Sequence, residues 1–149
     1  MKNSLKYSNM TDYRTTFNIN ISNEKIGYHS KCLFIGSCFT ENIGDFLNEM
    51  RFPIQTNPTG IIYNPYSISQ CIDFLVNESI FNENDLIFYN EKWMSLQHHS
   101  RFSNPVKQVC LDKINTEIKK AALFLKDAHF LFITMGTSDR KSTRLNSSH

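Results

Sequence analysis

Two short segments of this chain are almost entirely apolar: KCLFIGS at residues 31–37 and HFLFITMG at residues 129–136. Each apolar run is too short for a buried helix, and each ends in glycine followed by small hydroxyl residues. A strand that is apolar on both faces must be covered on both, which is the condition of a parallel sheet between helical layers. The intervening chain supplies the helices. After Thr40, a candidate cap, and Glu41, suited to a first turn, Ile43, Phe46, Leu47 and Met50 recur at helical spacing. Ser67 opens a second helix with Ile68, Ile72, Leu75 and Val76 on one face, and Leu111, Ile114, Ile118, Ala122 and Leu125 mark a third. These helical apolar positions are expected in the core. The fold class expected is α/β with a parallel sheet.

The remaining segments read as connections. RFPIQTNPTGIIYNPYS, with Pro53, Pro58, Gly60 and Pro65, is expected to be an irregular, turn-rich loop. DLIFYNEKWMSL suggests two short strands around a turn at Asn90 and Glu91, and QHHSRFSNP is loop. Residues 1–27 form a polar, asparagine-rich lead-in with one edge strand at TTFNINI, residues 15–21.

The last residues, DRKSTRLNSSH at 139–149, carry no hydrophobic periodicity. They match, residue for residue, one reading frame of a common sequencing-library adapter, and the competing reading is a natural basic, serine-rich tail. Set aside as an artefactual tail, they leave 1–138 as the natural chain, expected to be an N-terminal fragment. Removing Arg140, Lys141, Arg144 and Asp139 from 16 basic and 14 acidic residues leaves 13 of each. A neutral chain gives no electrostatic argument for nucleic acid or an anionic membrane as partner. No segment approaches the roughly 20 apolar residues of a membrane span, and residues 1–27 hold no secretory apolar run, so a cytoplasmic location is the default. Cys32, Cys38, Cys71 and Cys110 lack CxxC spacing and are expected to be reduced thiols.

In open parallel sheets, ligands bind beyond the carboxyl ends of the strands. Ser37 follows one apolar strand; Gly136, Thr137 and Ser138 follow the other. If the strands are neighbours, their tips share one crevice. Ser37 is then either a displayed nucleophile or part of a simple turn. Cys38 is expected to be a packing residue, since nothing basic adjoins it to lower its pKa. Asn57, Tyr63 and Asn64 either shape their loop or contact substrate. Adjacent histidines point apart in extended chain, so His98 and His99 suit loop ordering or substrate contact better than metal binding. Arg101 either pairs with an anionic substrate group or is solvated. No metal and no cofactor is expected.

Four motifs in order, GSCFT, NPTGIIYNPYSI, W-x-S-x-x-HHSRFS and TMGTS, resemble the GSCFA-domain proteins from about Cys32 to Ser138. That family looks like a branch of the SGNH (GDSL-like) esterases. Thr40 stands where the family name has alanine. The resemblance implies a flavodoxin-like three-layer domain over 28–138, left incomplete by truncation, in a serine hydrolase of O-acyl or acetyl esters. Ser37 would be the nucleophile, the backbone N–H groups of Ser37 and Cys38 and that of Gly60 would face the oxyanion, and Gly136 to Ser138 would occupy the third block. Ser138 falls where relatives carry the asparagine donor. The catalytic histidine, with an aspartate three residues before it, would lie near the domain's C-terminal end, beyond this chain. Substrates would be small-molecule or carbohydrate esters. Two alternatives remain open: a flavodoxin-like loop holding an FMN phosphate, and a GSCFA domain that binds carbohydrate or acyl groups without turnover.

Overall fold

Alternation along the first apolar run decides the architecture. The computed structural model describes residues 23–136. The run Cys32–Gly36 forms β1, every residue of it buried. Leu33 and Ile35 point to one face and pack into the main core, whereas Phe34 lines the opposite face. β1 is the middle strand of a three-stranded sheet, and both neighbours run parallel to it.

Helix α1, Cys38–Glu49, follows directly and covers the Phe34 face. Its buried residues are Thr40 and Gly44, and Gly44 presses its backbone against the Thr56 side chain. The apolar stripe expected to face the core largely does not: Ile43, Phe46 and Met50 are exposed, and of the four only Leu47 is partly buried. Close approach of helix to strand requires small residues at the contact, and this overrides the apolar pattern. Ser37, not Thr40, holds the N-cap position.

The segment read as irregular loop contains β2, Ile54–Thr56, paired with β1 in register Cys32↔Ile54. Helix α2, Pro65–Val76, is capped by Asn64 rather than opened at Ser67: Asn64 Oδ1 accepts from the Ser67 N–H at 2.8 Å. The expected strand pair is β3, Ile87–Tyr89, and β4, Lys92–Met94, antiparallel across Asn90 and Glu91, both at positive φ. Short 3₁₀ turns, Glu83–Asp85 and Ser100–Phe102, flank the hairpin.

Helix α3, Lys107–Lys126, packs with α2 on the Leu33 and Ile35 face, burying Ile68, Cys71, Leu75, Leu111, Ile114 and Ile118. All four cysteines are free thiols. Strand β5, Phe130–Thr134, pairs with β1 from Cys32↔Phe130 to Gly36↔Thr134. It was expected to be buried on both faces. Its outer edge instead has no partner strand among the described residues, and Leu131 and Ile133 are each 42% exposed. The structure is thus mixed α/β, with α1 on one face of a small parallel sheet and α2 and α3 on the other. The strand expected at residues 15–21 and the tail at 139–149 lie outside the described residues. No described helix is long and apolar enough to cross a membrane.

Candidate functional site at the strand tips

The register Gly36↔Thr134 brings the tips of β1 and β5 side by side, so the condition on which a shared crevice was expected is met. Gly36 makes this possible. Its φ of +147° is a conformation side chains resist, and a Cβ there would strike the Thr134 carbonyl. The chain then turns into α1 through Ser37.

Ser37 is 8% exposed. Its hydroxyl makes no helix-capping bond and turns instead to Thr134, 3.1 Å away. The Ser37 N–H also donates to Thr134 Oγ1, at 3.1 Å, and the Thr40 hydroxyl closes on the same oxygen. Thr134 therefore gathers three polar groups of the turn, a role that no reading of the sequence assigned to it. The signal was there: Thr134 is the last strand residue before Met135 and Gly136, opposite Gly36. The inward turn of the Ser37 and Thr40 hydroxyls leaves little of the open cradle that a phosphate loop presents.

The loop after β2 is laid across both tips. The Ile62 N–H donates to the Gly36 carbonyl at 2.9 Å, and the Gly136 N–H donates to the Tyr63 carbonyl at 3.0 Å. Asn57 anchors this loop at φ +45° and is fully buried. Its Oδ1 accepts from the Gly36 N–H at 2.8 Å, and its own N–H donates to the Phe34 carbonyl at 2.8 Å. Asn57 thus holds the turn from beneath, its side chain enclosed. Asn64 is likewise a helix cap.

Gly60 has φ +94°, and its N–H donates to the Asn57 carbonyl at 2.8 Å, closing a turn with Pro58 at its first corner. Its N–H and that of Gly136 are thus both engaged, as is that of Ser37; acting on an oxyanion would require them to release these partners. Ser138 lies outside the described residues.

His98 and His99 have different surroundings. His98 sits among Phe74, Phe81 and Phe102, with Nδ1 3.1 Å from Ser95 Oγ and a buried Nε2 that has no partner. Burial in this apolar box lowers its pKa to about 4, so it is a neutral core residue at pH 7. His99 packs against Gly60 and accepts from the Arg101 N–H at 3.2 Å. Arg101 bonds Glu41 at 2.9 Å and the Asn57 carbonyl, and its side chain remains 39% exposed. His129 lies at the opposite end of the sheet, its Nδ1 3.1 Å from the Lys31 N–H. No imidazole or carboxylate is among the hydrogen-bond partners of Ser37, and among the described residues no three His, Cys, Asp or Glu side chains converge as a metal site would need.

Cys38, expected to be packed, is exposed at the first position of α1. Its neighbour is Tyr63, whose phenol is held above the usual tyrosine range chiefly by charge on Cys38, with Glu41 a smaller cause. The helix turns this side chain outward because Thr40 and Gly44 occupy the inward face.

A parallel α/β domain with a largely buried cluster of hydroxyls at adjacent strand tips, roofed by the loop after its second strand, is the class this geometry defines. Residues 31–143 match the model of the GSCFA family, more than half of the chain, and the protein belongs to that family. The match runs past Ser138 into the segment set aside above. No curated protein and no solved structure matches the chain.

Proposed function

We propose that this GSCFA domain is built for acyl transfer to water through Ser37, with O-acyl esters as substrates. The observation that carries this reading is the placement of Ser37. It stands at the tip of the central strand and at the N-terminus of a helix of 12 residues, yet its hydroxyl is not used to cap that helix. A serine so placed can attack a carbonyl whose developing oxyanion faces the helix N-terminus. The resemblance to SGNH esterases supports the same assignment, with Gly60 and Gly136 as backbone donors once the loop shifts.

A serine hydroxyl needs a base to be a nucleophile. The 149 residues contain no Asp-x-x-His, and Ser37 is bonded to Thr134 rather than to an imidazole. On this reading the chain hydrolyses an activated acetate ester no faster than its Ser37→Ala variant. Added imidazole should supply the missing base. The test is labelling by a fluorophosphonate with and without imidazole, with the modified serine located by peptide mass spectrometry. Imidazole-dependent labelling concentrated on Ser37 is the expected result. Uniform labelling of surface serines would sink the assignment, and esterase activity abolished by His99→Ala would show that the chain already contains its base.

A further inference from the structure

A hydroxyl has one hydrogen to donate and two lone pairs with which to accept. One lone pair of Thr134 Oγ1 is taken by the Ser37 N–H at 3.1 Å, a group that can only donate. The remaining lone pair and hydrogen face two hydroxyls, those of Ser37 at 3.1 Å and of Thr40. Thr134 therefore accepts from one and donates to the other. If it accepted from Ser37, the hydrogen left over would be that of Thr40, which is 1% exposed and whose hydroxyl has no other partner among the described residues. A buried O–H without an acceptor is costly. If it accepts from Thr40 and donates to Ser37, the hydrogen left over belongs to Ser37, which is less enclosed. Resting on the proposed role of Ser37, we infer that Thr134 and Thr40 are positioning residues for that serine: a directed chain from Thr40 through Thr134 to Ser37 leaves the serine hydrogen free for the base.

This chain accounts for the missing cap. Ser37 holds the N-cap position of α1, where a serine hydroxyl ordinarily accepts from the amide of the second or third helical residue, here Phe39 or Thr40. It makes no such bond, because Thr134 is its donor instead. Gly36 leaves the room this needs: a Cβ there would lie 2.6 Å from Thr134 Oγ1. When a base takes the Ser37 hydrogen and Oγ bonds the electrophile, the Thr134 hydrogen bond stays on Oγ. Negative charge arising on that oxygen is then met by a donor already in place.

The test uses the full chain and its Thr134→Val, Thr134→Ser and Thr40→Val variants, with urea midpoints to confirm folding. The first readout is the Ser37 χ1 rotamer from three-bond Hα–Hβ couplings, together with hydrogen exchange at the Phe39 and Thr40 amides. The second is the rate at which a fluorophosphonate labels Ser37 in imidazole, which takes the hydroxyl hydrogen as the Oγ–P bond forms and fluoride leaves. One rotamer is expected in the wild type and in Thr134→Ser. In Thr134→Val the hydroxyl should swing to cap α1, exchange at those amides should slow, and labelling should fall at least about tenfold, with Thr134→Ser close to the wild-type rate. Thr40→Val should keep the rotamer yet slow labelling, because Thr134 can then accept from Ser37 and turn its hydrogen inward. A rotamer unmoved by Thr134→Val, or Ser37 labelled equally fast in that variant and the wild type, overturns the positioning and leaves the nucleophile standing. Labelling of Thr40→Val at the wild-type rate overturns the direction of the chain, and this variant decides alone if Thr134→Val does not fold. The expected rotamer changes without labelling of Ser37 in any of the proteins would keep the hydroxyl chain and remove the nucleophile.

Discussion

The strand-tip turn depends on one buried side chain, and its contribution can be worked out. Replacing Asn57 by alanine removes Oδ1, the acceptor for the Gly36 N–H at 2.8 Å, in a position with no access to water. Leaving that amide unpaired costs about 1–3 kcal/mol. Alanine must also adopt the φ of +45° that asparagine tolerates, at a further cost of about 1 kcal/mol. Asn57→Gly loses the same hydrogen bond without the backbone term. We expect Asn57→Ala to lose about 2–4 kcal/mol and Asn57→Gly about 1 kcal/mol less. With a urea dependence of about 2 kcal/mol per molar, the alanine midpoint falls by about 1–2 M. Equilibrium urea unfolding followed by the single tryptophan, Trp93, reads this directly. An alanine variant within about 0.5 kcal/mol of the wild type would show that Asn57 does not hold the turn. A glycine variant less stable than alanine would show that the positive φ is not felt.

Three further outcomes follow from named contacts. Because the folded-state pKa of His98 is lowered to about 4 from 6.5 by burial, its unfolded form takes a proton first as pH falls. The stability present above pH 6.5 should therefore decline toward pH 4, by up to about 3 kcal/mol, and His98→Phe should flatten that decline in urea midpoints measured against pH; parallel slopes in the two proteins would refute it. Gly36→Ala, which drives a Cβ into the Thr134 carbonyl at an unfavourable φ, should lose about 3 kcal/mol or more and the dispersed amide spectrum of the β1–β5 pair. Leu131→Lys, on the open edge strand, should raise the soluble fraction on expression with little change in urea midpoint, and unchanged aggregation would mean that another surface drives it.

The parts of this fold legible in the sequence are those where period and burial agree. β1 satisfies the all-apolar pattern because both its faces are covered, and α3 keeps Leu111, Ile114, Ile118 and Ala122 buried as their spacing requires. β2 was hidden because three residues between prolines carry no period, and its only apolar member is Ile54. α1 misled for the opposite reason: a strong apolar stripe was present, but the helix meets β2 through Gly44 and β5 through Thr40. At the site, strand class placed both tips at the same end of the sheet, but their adjacency was conditional on the strands being neighbours, which the β1–β5 pairing supplies. That Asn57 would be buried and Arg101 held by Glu41 did not, since both depend on where a loop and a 3₁₀ turn settle over the sheet. His98 was ambiguous because a histidine among phenylalanines in space is not among them in sequence.

The hydroxyl cluster also has a history in time. Ser37 and Thr134 stand 97 positions apart in the chain, and the strands that carry them pair directly. Such long-range closure raises contact order and places the step late, since the entropy of bringing distant segments together must be met before the pairing repays it. During synthesis, β1 and α1 leave the ribosome with their apolar surfaces uncovered until α3 and β5 have followed. The paired tips thus form only once β5 has joined β1, and any ligand that needs both can bind only after that pairing.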